Sequence, residues 1–134
     1  MMKNYLDANI FMNAFLYEDE KAKKCKEIIS KIARNELVGV TSTLTWDEIV
    51  YSIKRLLGSE KAEISGERFL NIPNLKLLSA DKNIIARSQK LIVKYKLNPR
   101  DAIHAATAML NGCNSIISDD SDFDKVKEIK RVKV

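Results

Sequence analysis

The sequence is poorest in the residues that hold metals through nitrogen or sulfur. Its 134 residues include one His and two Cys, and Cys25 and Cys113 lie far apart without ligand spacing. A zinc site of the common Cys/His kind is excluded on that ground. Two cysteines without a pairing pattern, and no export signal, fit a reducing cytoplasm. The opening Met1–Asp7 does not read as a signal peptide, because Asp7 interrupts the apolar run and no small-residue cleavage site follows. No apolar run approaches the roughly 18 residues of a membrane span. With 4 Gly and 2 Pro, there is no composition for a long flexible linker.

What is present is ordinary in bulk and unusual in its distribution. A hydrophobic fraction of 46% against 31% charged residues, over this length, predicts one domain over residues 1–134 with a real core. The net charge of +5 and pI near 9.2 suit a polyanionic partner such as nucleic acid. A lysine-rich solvated surface accounts for the charge equally well. The acids, however, are clustered while the surplus bases are spread. An acidic pocket in a basic protein is what a metal-dependent enzyme on phosphodiesters needs: bases hold the strand, and a cation lets the phosphate approach the carboxylates.

The cluster lies in Asn114–Phe123. Ser115-Ile116-Ile117 reads as a short buried strand, and Asp119, Asp120 and Asp122 follow it, interleaved with Ser118 and Ser121. Taken alone this is a polar turn with a capping serine. Its setting adds weight. Met2–Leu6 and Leu37–Thr41 read as strands, as do Leu75–Leu78 and Ile129–Val134. Between them lie helical periodicities over Ile10–Tyr17, Asp19–Asn35, a segment opened by Ser42 or Thr45 and ending at Leu57, Glu60–Leu70, Asp81–Leu97 and Asn98–Leu110. Trp46, Ile49, Val50, Ile53 and Leu57 form the stripe of the third helix, and Asn98 is the expected N-cap of the last. Strands alternating with helices predict an α/β fold. The expected architecture is three-layer α/β/α with a mainly parallel central sheet.

In a parallel sheet all strands finish at one edge, where ligands bind. Asp7 ends the first strand, and Asp120 and Asp122 follow the fourth. Asp101 opens the helix that feeds the fourth strand, so it starts at that same edge. Each acid has a capping explanation; their shared placement from three separate segments does not. A hard divalent ion such as Mg²⁺ would relieve their repulsion. Glu48 stands at a suitable height, but its helical wheel places it beside Leu44, Tyr51 and Arg55, and Thr45-x-x-Glu48 is also a capping box. His104, one turn after Asp101, reads as a buried histidine bonded to a neighbour. Leu44 and Tyr51 form a second semi-apolar face, and Arg100 is one candidate among several for guiding a strand.

These residues resemble the PIN domain, and within it the small VapC-type toxins. The resemblance covers essentially the whole chain. It rests on Asp7-Ala8-Asn9 after the first strand, Glu48 preceded by Thr41-Ser42-Thr43, Asp101-Ala102-Ile103-His104-Ala105-Ala106-Thr107-Ala108, and Ser118-Asp119-Asp120-Ser121-Asp122-Phe123. Ala8 departs from the usual Thr or Ser. The resemblance implies an endoribonuclease dependent on Mg²⁺ or Mn²⁺ that leaves 5′-phosphate and 3′-hydroxyl ends. It implies that Asp7 and Asp101 bind metal, that Asp120 with Asp122 completes the shell, and that Glu48 holds metal or positions the attacking water. Asn9 and Ser118 would orient the carboxylates. It further implies an RNA substrate, a homodimer, and a separately encoded antitoxin, with no membrane. A phospho-acceptor signalling module would need a lysine after a later strand, which is missing; an inert nucleic-acid-binding domain would not need all four acid positions filled.

Overall fold

The computed structural model describes residues 2–134. Five strands alternate with six helices. They run β1 (Lys3–Leu6), α1 (Ala8–Leu16), α2 (Glu20–Ala33), β2 (Val38–Ser42), α3 (Thr43–Leu57), α4 (Ser59–Leu70), β3 (Lys76–Leu78), α5 (Lys82–Tyr95), α6 (Pro99–Leu110), β4 (Ser115–Ile117) and β5 (Lys130–Val132), with a 3-10 turn at Ser121–Lys125. The strands form one sheet in the order β3-β2-β1-β4-β5, and every pairing is parallel. Tyr5 of β1 lies opposite Val40 on one side and Ile116 on the other.

Strand pleat divides the core in two. Tyr5, Val40 and Ile116 face α5 and α6, packing with Leu91, Ala102, Ala105 and Phe123. Leu6 and Ile117, one residue on, face α1–α4 with Phe11, Ile49, Ile53 and Phe69. The three-layer architecture follows directly. The alanines of α6 let it lie close to the sheet; six of its residues from Ala102 to Ala108 are buried.

Local rules account for most boundaries. Asp19 and Asp81 accept from the backbone N–H groups of Ala22 and Ile84, capping α2 and α5. Ser42, rather than Thr45, caps α3 by accepting from Leu44 N–H at 3.0 Å. Thr45 is instead buried inside the first turn and shares a 2.7 Å hydrogen bond with Thr41. Asn98 has the extended backbone of a cap but makes no side-chain cap bond. The α3 stripe is narrower than the periodicity predicts: Ile49 and Ile53 are buried, whereas Trp46 and Leu57 are exposed beside α4. Gly58, at φ +95°, makes the tight α3–α4 junction. Gly39 permits close packing of α2 on β2, since a Cβ there would sit 2.3 Å from Ile32 Cδ1.

Candidate active site

Because all five strands run the same way, their carboxyl ends gather on one rim. The chain leaves β3 at one edge and returns to place β4 on the far side of β1, which makes a switch point there. Asp7 is the first residue beyond β1 and the N-cap of α1. Its Oδ1 accepts from Ala8 N–H at 2.7 Å. Its Oδ2 accepts from Ser118 Oγ at 2.6 Å and Asn9 Nδ2 at 3.1 Å. The carboxylate is therefore buried and fixed at both oxygens. Ser118, just past β4, supplies the hydroxyl contact that Ala8 lacks. Its Oγ also accepts from Asp120 N–H at 3.0 Å, tying Asp7 to the loop carrying the other acids.

Asp101 in the first turn of α6 meets Asp120 and Asp122 across this rim. One carboxylate oxygen from each lies within 4.8 Å of the others, and all three groups are partly buried. Asp7 stands behind this trio and is not one of its three members. Asp120 also caps the 3-10 turn by accepting from Asp122 N–H at 2.9 Å. Asp119, the remaining acid of the cluster, turns away to a 2.8 Å ion pair with Lys21. Asn9 Oδ1 is buried with no hydrogen-bond partner, an open acceptor beside Asp7.

Glu48 turns inward from α3 and meets His104 Nε2 in a very short contact. His104 is fully buried, and its Nε2 is also 3.6 Å from Asp7 Oδ1. Its Nδ1 lies 2.6 Å from the Tyr5 hydroxyl. A carboxylate can only accept, so Nε2 carries the hydrogen and donates to Glu48. When the ring is neutral, Nδ1 accepts from the Tyr5 O–H; when it is protonated, Nδ1 donates to the Tyr5 oxygen instead. The expected bond from His104 to a neighbour is present, and that neighbour is a candidate site residue.

A model of the PIN domain matches residues 5–129. The chain belongs to the PIN-domain family. A curated relative, Ribonuclease VapC2 of Methanocaldococcus jannaschii, is 25% identical over 147 residues, covering 98% of this chain and 94% of the relative. VapBC2 from Rickettsia felis, solved bound to a DNA fragment from its promoter, superposes with TM-score 0.77 at 14% identity, covering 98% of each chain. Mycobacterium tuberculosis VapC20, a sarcin–ricin loop cleaving toxin, gives TM-score 0.75 at 16% identity, over 92% of this chain and 95% of that one. The three-layer fold is thus shared across distant sequences.

In this PIN domain the rim stores like charge. Burial, then the neighbouring Asp120 and Asp7 carboxylates, push Asp101 up to about 7 from an ordinary 3.8. Burial also raises Asp7, against the opposing pull of His104 and Ser118. For His104, burial opposes protonation, but the Glu48 hydrogen bond and the charges of Asp7, Glu48 and Asp101 outweigh it and raise the pKa. Between about pH 4 and 7 the folded chain therefore holds a proton on Asp101 that the unfolded chain releases; Asp7 adds to this from about pH 4 upward and His104 above about pH 6.5. Stability from these groups is present at the acid end and lost as pH rises through the folded values. The exposed Glu36 and Asp124 shift the opposite way, and their window closes below pH 5. Metal-free protein is expected to be more stable at pH 5 than at pH 8 by about 1–2 kcal/mol, after discounting the half-exposed Asp101 for solvent screening. Calorimetry in chelator at the two pH values checks this; a melting temperature that rises toward pH 8 overturns it.

The structure brings the Asp101, Asp120 and Asp122 carboxylates together and ties Asn9 and Ser118 to Asp7, in line with the sequence pattern, whereas Tyr5 and the inward turn of Glu48 carry no signal in helical or strand spacing. A phenol in a buried strand needs a polar partner, which is the one signal that could have flagged Tyr5.

Proposed function

We propose that this PIN domain is a metal-dependent endoribonuclease and the toxin of a toxin–antitoxin pair. The observation that carries the reading is the meeting of Asp101, Asp120 and Asp122, backed by the fixed Asp7, from three segments of chain. The donor set is all carboxylate oxygen, which fits Mg²⁺ or Mn²⁺ and not a nitrogen- or sulfur-seeking ion. Burial first, and then the neighbouring Asp120 and Asp7, disfavour charge on Asp101, and a bound cation would offset both.

Asp7, Asp101, Asp120 and Asp122 would hold the ion. A bound divalent ion supplies positive charge against the scissile phosphate and acidifies a water. The chain's own residues do the rest. Ser118 and Asn9 fix the angle of Asp7, as outer partners of metal-holding carboxylates do. Glu48, held by His104, would position the attacking water by accepting a hydrogen bond from it.

The toxin half of the proposal rests on the relatives' names and on exposed apolar side chains. Trp46, Leu57, Ile64 and Leu70 of α3 and α4 are each exposed by 42% or more, as a chain with protein partners requires. A second copy and a separately encoded antitoxin are the partners proposed. No helix among the described residues is long and apolar enough to cross a membrane.

The test is direct. Purified chain should cut single-stranded RNA in Mg²⁺ or Mn²⁺, leaving 5′-phosphates, and should be silent in EDTA. Its induced expression should arrest bacterial growth. Cleavage that persists undiminished in EDTA would remove the metal from the reading; no cleavage with either ion would end it.

A further inference from the structure

Beyond the carboxylates, one exposed aromatic side chain stands one helical turn along α3 from Glu48. Tyr51 lies three residues after Glu48 on α3, so the two share a helix face one turn apart. Tyr51 is 49% exposed. Two guanidinium groups approach it, Arg55 at 5.7 Å from the same helix and Arg100 at 5.8 Å from the first turn of α6. Arg100 directly precedes Asp101. The aromatic ring and two cations therefore sit across the α3–α6 gap, each tied by chain to an acid of the site. Neither arginine makes an ion pair among the described residues, whereas Arg34 and Arg131 are both held by carboxylates. An open groove of about 360 Å³, lined by Met12, Tyr51, Ser52, Arg55 and Leu56, runs beside the ring.

This combination has a specific chemical complement. A flat aromatic face stacks any nucleobase, and flanking arginines attract the phosphates on either side of it. The acid trio repels phosphates until a cation is bound, so a strand needs holding points next to it. An apolar protein segment would use the ring but leave two unpaired cations at its edge.

We propose that Tyr51, braced by Arg55 and Arg100, is a stacking platform for a nucleobase of single-stranded RNA beside the bond that is cut. The proposal rests on the ribonuclease reading for its substrate, and its test separates the two. A short single-stranded RNA carrying 2-aminopurine is titrated into the parent, Tyr51→Ala, Tyr51→Phe and Arg100→Gln, in Mg²⁺ and at two salt concentrations. Stacking quenches the probe. Quenching is expected in the parent and Tyr51→Phe and absent in Tyr51→Ala, whose KM for cleavage rises about tenfold with kcat within about twofold. Arg100→Gln should weaken binding and flatten its salt dependence.

Quenching without cleavage in the parent would leave the platform standing and the nuclease reading fallen. Cleavage with unchanged quenching and KM in Tyr51→Ala would overturn the platform alone. So would a shift of Tyr51→Ala from dimer to monomer on a sizing column, since a second copy would then cover the ring.

Discussion

Asp101→Asn is expected to abolish RNA cleavage and, in chelator at pH 8, to melt at a higher temperature than the parent. The two effects have one cause. Asp101 shares a space with Asp120 and Asp122 in which one oxygen of each lies within 4.8 Å of the rest. Asparagine keeps the shape but removes a full charge from the set that would hold the ion. Losing an outer partner of a metal ligand costs about 10–100-fold in affinity or activity, so a ligand itself should cost about 100-fold or more. Without metal the balance reverses. The charge that is lost is one the fold resists, as its pKa near 7 shows. Relief should exceed the few tenths of a kcal/mol that an acid contributes in the first turn of α6, leaving a net gain of about 1 kcal/mol. Cleavage of a fluorescent RNA and melting in EDTA measure both. A variant cutting as fast as the parent in Mg²⁺ would remove Asp101 from the site, and a lower melting temperature would contradict the stored repulsion.

Asp7, Asp101, Asp120 and Asp122 were visible because strand ends and helix starts in a parallel sheet fall on a common rim, a matter of topology. The strands were legible as short apolar runs, and α2 and α5 as helices from their spacing and Asp caps. What stayed hidden depends on rotation and on distance along the chain. Glu48 gave an indifferent wheel because its partner is not a neighbour on α3 but His104, 56 residues on. Tyr5 and His104 are 99 residues apart and meet only because α6 lies on β1's face. Trp46 was placed in the core by periodicity, yet α4 covers the third helix only in part and leaves it at the surface. Ser42 and Thr45 both fit a cap by residue type, and Ser42, which ends β2 one turn earlier, takes that place.

The hidden pair yields the second large effect. His104→Leu is expected to lower stability by about 3 kcal/mol and to depress cleavage as well. Leucine fills much of the ring's volume, so packing loss is small. What it removes is the polar link between two groups that stay behind. The Tyr5 hydroxyl, fully buried, loses its 2.6 Å partner, and Glu48 loses the donor that turns it inward. A buried polar group left unsatisfied costs about 1–3 kcal/mol, and a carboxylate more, although Glu48 can swing toward solvent and recover part. For a chain of this size about 3 kcal/mol is roughly a 10 °C fall in melting temperature. His104→Gln, which keeps an N–H donor for Glu48, should lose less of both stability and cleavage than His104→Leu. Tyr5→Phe tests the other end: it leaves Nδ1 without its partner but Glu48 still held, so stability should fall by about 1 kcal/mol while cleavage is largely kept. Thermal melts and cleavage rates of the three variants decide the matter. Equal melting temperatures for His104→Leu and the parent would show that the chain Tyr5–His104–Glu48 bears no load in the fold. Equal cleavage would show that Glu48 finds its orientation without it.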